Sequence, residues 1–398
     1  MGGTTIGISA TGGDDNDNNS FVDNRIIRCR YGIGTRGAAA TNLNQNTIIT
    51  DNLIGPTAFG ADEIGQNGIF VQFENLCTIS RNTVQFIGHD FANSISAFFD
   101  KAGIAIGVNS WSNLTTTTAS SSNISCTRNL VHDVCDERTN SAVGIIVGTT
   151  LSGPKTLNLI ANNMIYNVRC NGTTGDQGAG IGHCGGPGDQ IVFNSIYLTG
   201  DVDPTGTTTA TTNPIIAGIS KHVAAAADTA VFIKNNAIYV NISSNTTTLL
   251  KAPIIAPAAG YAYGSGGLNN NDYYIPSTAN GHVIGVAGTG TTSFATLPLW
   301  QAVYTPAQDA ASISVDPSFT STTDLHINVS SPAVNNLAVP LAAVINDFDN
   351  DTRSLTTPDI GADEYSPLVC SGTPTPGSIA PVSSSICTNG AGVTLTLS

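Results

Sequence analysis

Within repeated short segments between Phe21 and Tyr273 the apolar positions alternate at period two, with β-branched Ile and Val dominating, and no stretch keeps a 3.6-residue period long enough for a long helix. The alternation predicts short strands. A pattern of apolar-x-x-Asn-x-apolar recurs in Phe21–Ile26, Leu43–Ile48, Ile79–Val84, Cys126–Val131, Ile160–Ile165, Ile191–Ile196 and Ile233–Ile238. It marks Asn24, Asn46, Asn82, Asn129, Asn163, Asn194 and Asn236, and Leu268, Asn271 and Tyr273 supply an eighth copy. The intervals vary while the motif does not, which is the signature of a solenoid with loop insertions. Gly-Ile pairs form a second column, beginning at Gly32, Gly68, Gly103, Gly144, Gly180 and Gly218. The longest gap between such a pair and the next motif Asn holds a polar insertion, WSNLTTTTASSS, from Trp111 to Ser122.

Stacked coils of about three short strands would pair each strand with its equivalent one rung away, about 4.8 Å distant. The pattern therefore predicts an all-β chain, a right-handed parallel β-helix. Its repeated Asn would occupy a tight corner in the left-handed backbone conformation, with side-chain amides bonded in a ladder. Glycine before Ile would serve a different corner, where a side chain crowds the turn. Leucine-rich repeats lack their Leu-dense consensus here, and a two-sheet sandwich would not repeat Asn in register.

Composition narrows the function. Of 398 residues 40% are hydrophobic, too many for a disordered tail, and only 11% are charged. The formal charge of −14 repels phosphate backbones and anionic lipid, so neither nucleic acid nor a membrane surface is an expected partner. No apolar run reaches the roughly 20 residues of a spanning helix, so no membrane insertion is expected. Met-Gly-Gly-Thr-Thr-Ile is not the start of a secretory signal, and an export signal is expected outside this chain. The eight cysteines form no Cys-x-x-Cys pair, which disfavours a zinc site; the first six read as buried thiols.

The C-terminal motifs are Asp316-Pro317-Ser318-Phe319, Asp324-Leu325-His326-Ile327, Ser331 to Asn335, DFDNDTR from Asp347 to Arg353, and PDIGADEY from Pro358 to Tyr365. With the coil pattern they resemble the bacterial right-handed parallel β-helix proteins, of pectate-lyase-like fold, in their exported cell-surface form. That resemblance implies coils over 1–300, a cap or end section over 301–366, and an extracellular or cell-surface location. From Pro367 the chain turns rich in Pro, Ser, Thr and Gly, and 367–398 resembles a linker and the truncated start of an Ig-like surface repeat. The Ig-like resemblance implies a disulfide between Cys370 and Cys387.

Candidate chemistry is sparse. Lyases on similar helices need a base and cationic groups, and His183, Lys221 and His222 are the best set, because His183 and Lys221 each stand three residues after a column Gly. A hydrolase would need paired carboxylates; Asp133, Asp136 and Glu137 have no second set, and Asp14, Asp15 and Asp17 read as a solvated turn. Asp347, Asp349 and Asp351 have calcium-loop spacing, but without the Gly and Glu of an EF-hand the preferred reading is an Arg353-carboxylate cluster holding the cap, with calcium the alternative. Calcium is the only cofactor in view. Three residues after successive motif Asn stand His132, Tyr166, Tyr197 and Tyr239, and this column should form an outward strip on which sugar rings stack. The expectation is a non-catalytic adhesin or structural stalk binding polysaccharide or a cell-surface glycan. The alternatives are a polysaccharide lyase or glycoside hydrolase on the same scaffold and a self-assembling extracellular fibre, a homopolymer of this chain.

Overall fold

The computed structural model describes residues 6–11, 16–89, 99–111, 121–136, 140–150, 154–173, 175–202, 209–221, 230–288, 292–304, 308–327 and 332–365. The chain winds as a right-handed parallel β-helix with three long sheets. Sheet A takes the longer strands, among them Lys101–Ile106, Ala142–Gly148, Gly178–Gly185 and Ile216–Lys221. Sheet B takes three-residue strands such as Ile48–Thr50, Thr78–Ser80 and Leu159–Ala161. Sheet C follows each of these after one corner, as in Leu130–Asp136, Met164–Cys170, Ser195–Asp201 and Ala237–Ser243. Among the described residues no helix is long and apolar enough to cross a membrane.

Inward positions repeat one residue type per column. Sheet A contributes Ile33, Ile69, Ile104, Ile145, Ile181, Ile219 and Ile254, all in register. Sheet B contributes Ile49, Ile79, Cys126, Ile160, Ile191 and Ile233, and sheet C contributes Ile54, Val84, Val131, Ile165, Ile196 and Ile238. Every one is fully buried in a single continuous core. Stacking like upon like is what lets each rung bury an apolar face it could not bury alone. Cys29, Cys77, Cys126, Cys135, Cys170 and Cys184 are buried thiols.

The corner between sheets B and C carries the asparagine ladder Asn24, Asn52, Asn82, Asn129, Asn163, Asn194, Asn236 and Asn271. Each Nδ2 donates to the Oδ1 of the next rung at 2.8–3.0 Å. The same Oδ1 accepts the backbone N–H of the preceding Asn at 2.9–3.1 Å. From Asn52 onward the second Nδ2 proton goes back to a sheet B carbonyl, as from Asn163 to Cys126 O at 3.0 Å. Two donations and two acceptances saturate a carboxamide, which explains Asn at this buried position.

Three expectations need correction here. Asn46 is not a rung: Ile49 pairs with Ile79, which makes Ile49-Thr50-Asp51-Asn52-Leu53-Ile54 the motif copy. Asn46 lies instead at the corner before sheet B, where its Nδ2 reaches Asn18 Oδ1. Nor does the ladder Asn take the left-handed conformation; the residue before it does, from Asp23 and Asp51 through Arg128 and Asn162 to Asn270, at φ of 53–59°. The column glycines, finally, sit within sheet A and not at a corner. A Cβ on Gly144 would lie 2.5 Å from Gly180 O and 2.7 Å from an Ile165 methyl, so sheet C presses its inward side chains onto sheet A's backbone.

The C-terminal end is closed. Trp300, on the short helix Leu297–Gln301, is fully buried and donates to Asp309 Oδ2 at 2.6 Å, and Ser312 Oγ takes the Asn271 N–H at 2.9 Å in place of a ninth Asn. The chain then returns along the outside of the ladder corner. It is fastened to the left-handed residues themselves. Asn270 donates to Leu337 O, Asn235 exchanges two bonds with Val339, Asn162 donates to Asn346 O, and Arg128 donates to Phe348 O. Arg353 lies over Phe193 at 4.2 Å, reaches Asn162 Oδ1 at 2.8 Å and pairs with Glu364 at 3.1 Å.

Candidate functional site

The aromatic column is set by strand parity. Val131, Ile165, Ile196 and Ile238 point inward, so the next residues, His132, Tyr166, Tyr197 and Tyr239, point outward, in register with one another and with Tyr274 on the following rung. Tyr274 extends the expected column by one rung, and it too stands three residues after a motif Asn, Asn271. Two stacked pairs result, His132 on Tyr166 at 4.6 Å and Tyr197 on Tyr239 at 4.5 Å, and Tyr239 meets Tyr274 at 5.2 Å.

The returning C-terminal section divides this column. Leu325 and Ala362 pack with Met164 and Tyr166, and His132 and Tyr166 are only 8% and 7% exposed. His132 is also bonded through Nδ1 to Asp133 at 2.6 Å. The expectation of an open four-residue strip is therefore corrected: its first two members lie under cover. Tyr197, Tyr239 and Tyr274 stay half-exposed. Phe319 stands edge-on to Tyr197 at 6.0 Å. Burial pushes the Tyr239 phenol up to about 12, assisted by Tyr197 and the nearby Asp316, so these hydroxyls stay protonated and able to donate. Two residues further along the same strands, and on the same face, Thr199 and Asn241 pair in register and add hydroxyl and amide groups beside the rings.

His183 and Lys221 are neighbours in register, as their spacing predicts, but both are fully buried. Counting by twos from the inward Ile181 and Ile219 puts them in the interior. His183 Nε2 bonds Asp189 Oδ2 at 3.2 Å, and Lys221 borders a partly open pocket of about 180 Å³ together with Gln177, Pro214, Ser220 and Ile255. The two candidates are thus brought together, but in the interior and not on an open face; His222 lies outside the described residues. Asp136 is buried in an ion pair with Lys101 at 3.0 Å, and Asp17 accepts the Gln45 N–H. Glu137, Asp14 and Asp15 lie outside the described residues, as does the Cys370–Cys387 pair.

Asp347, Asp349 and Asp351, the calcium candidates, are engaged in contacts of the protein's own. Asp347 Oδ1 accepts the backbone N–H groups of Asp349 and Asp351, and its Oδ2 accepts that of Glu364. Asp347 thus shapes the turn, Asp349 faces His326 at 2.9 Å, and Asp351 is exposed.

No known family model matches this chain, and no curated protein matches it.

Proposed function

We propose that this chain is a non-catalytic segment of an exported bacterial cell-surface protein, a stalk whose sheet C face binds glycan chains along Tyr197, Tyr239 and Tyr274. The observation that carries this reading is the half-exposed ring column, spaced at one strand interval and flanked by Thr199 and Asn241. Aromatic faces offer apolar contact to sugar rings, and adjacent hydroxyl and amide groups suit sugar hydroxyls. The strip is continuous and open, which fits a polymer lying across rungs better than a small molecule in a pocket. The cell-surface assignment rests on the C-terminal motif order and low charge, and the residues from 367 are proposed to begin an Ig-like module. Burial of His183 and Lys221 weighs against a lyase. Closure by Trp300 weighs against a fibre that stacks this end on a second copy.

A glycan array followed by calorimetry with the polysaccharides that score tests the proposal. Each ring is worth about 1 kcal/mol beyond area burial, so the Tyr197, Tyr239, Tyr274 triple Ala variant should bind about a hundredfold more weakly. Binding should change little with salt, since stacking carries no net charge. Equal binding by the folded variant, or release of new chain ends from any polysaccharide, would overturn the reading.

A further inference from the structure

The C-terminal section holds a second arrangement, independent of the tyrosine strip. His326 Nε2 and one carboxylate oxygen each from Asp349 and Asp363 lie within 4.8 Å of one another. They come from three separate turns, Asp324 to Ile327, DFDNDTR and PDIGADEY. The imidazole is oriented from behind. Its Nδ1 bonds the Asp324 carboxylate, and Phe348 packs edge-on against the ring at 5.8 Å. A carboxylate on Nδ1 holds the proton there and leaves the Nε2 lone pair facing forward, the usual support for a metal-binding histidine. That lone pair then meets two carboxylates, an assembly of acceptors with no donor of its own unless the ring takes a second proton.

The surrounding charge points the same way. Between residues 308 and 365 Arg353 is the sole Lys or Arg, against nine Asp and Glu, and it is occupied by Glu364, Asn162 and two carbonyls. Asp363 already accepts the Ile327 N–H through Oδ2 at 2.7 Å, which ties one prospective ligand to the His326 turn. We propose that His326, Asp349 and Asp363 bind a divalent first-row transition ion, Zn²⁺ or Mn²⁺, with Asp324 as the supporting carboxylate. Nitrogen among three protein ligands disfavours Ca²⁺, which takes six to eight oxygens. The ion would add a further tie between three turns already joined by the Arg353–Glu364 pair, the Phe348–Ala362 backbone bond and the Ile327–Asp363 bond. Leu325, Phe348 and Ala362, which cover Tyr166, belong to these turns.

The test is calorimetric titration of the untagged full chain, stripped with chelator, with ZnCl₂, MnCl₂ and CaCl₂ separately at about pH 7. One Zn²⁺ or Mn²⁺ per chain is expected, with Ca²⁺ at least about tenfold weaker, and His326→Ala and Asp349→Asn should each weaken binding by about tenfold or more. Asp349 has a half-exposed side chain, so its variant serves if the histidine variant fails to fold. The bound ion should also raise the melting midpoint of the native protein and move the His326 Nε2 resonance. Lack of saturable binding by both transition ions below about 1 mM, equal affinity in a folded variant, or Ca²⁺ binding as tightly would overturn the proposal.

Discussion

Asn163→Ala is the most informative single change in the ladder, because all four partners of its amide are known. Its Oδ1 accepts from Asn129 N and Asn129 Nδ2, and its Nδ2 donates to Cys126 O and Asn194 Oδ1, all at 2.9–3.0 Å and all buried. Asn129 Nδ2 keeps its second bond, to Ile79 O, and Asn194 Oδ1 keeps the Asn163 backbone N–H. The Asn129 backbone N–H keeps nothing. One stranded buried N–H costs about 1–3 kcal/mol, and the weakened partners add about 1 kcal/mol between them, so the change should destabilise by about 2–4 kcal/mol. The vacated space is lined by Asn129 N–H, Cys126 O and Asn194 Oδ1, so a water taken up there would hold the cost near the lower end. Asn46→Gly is the matched control: it removes an amide from the same repeat pattern, keeps the left-handed conformation that Asn46 needs, and lies on the surface. It should cost no more than about 0.5 kcal/mol. Urea denaturation reads the totals, and hydrogen exchange of the Asn129 amide reads the local effect. An unchanged midpoint in Asn163→Ala, or equal losses in the two variants, would refute the ladder as a source of stability.

Two further predictions address buried charge. Lys101→Met removes the cation opposite the buried Asp136 carboxylate and should cost about 3–5 kcal/mol, whereas Lys101→Met with Asp136→Leu should recover most of it in the same denaturation assay. Burial, with the Asp136 charge second, pushes the Asp176 carboxyl up to about 7, and burial pushes Asp309 and Asp359 to about 6. A raised carboxyl favours its neutral form in the fold, so its contribution is full below the unfolded value of about 3.9 and is lost as pH climbs through 6–7. The raised His326 acts with the same sign, and the lowered His282 opposes it. The melting midpoint should therefore fall between about pH 5 and pH 8, and Asp176→Asn should flatten that fall; a midpoint rising over this range would contradict the assignment.

Where local reasoning succeeded and failed follows from what each position depends on. The ladder amides were legible because a saturated carboxamide at a repeated corner admits few other side chains, and the inward Ile columns because a two-residue period is a local property. The same period, counted from Ile181 and Ile219, also carries the burial of His183 and Lys221, whereas counting from the column Gly three residues earlier does not. Asn46 and Asn52 could not be separated so easily. Leu43–Ile48 and Ile49–Ile54 both satisfy the motif, and only the pairing of Ile49 with Ile79 decides between them.

By itself, then, the sequence determined the periodic part of this protein: parallel strands, coil stacking, the amide ladder and the outward tyrosines, all consequences of spacing over a few residues. The tertiary structure alone decided what lies across those faces. Sheet C's side chains demand glycine in sheet A because two strands distant in a coil come within contact. The C-terminal section covers Tyr166 and leaves Tyr239 half-exposed because Leu325 and Ala362 pack on the rung of Met164 and Tyr166. His326, Asp349 and Asp363 converge for the same reason: three turns of an aperiodic segment meet only when that segment is held against the solenoid, and no local period encodes where they meet.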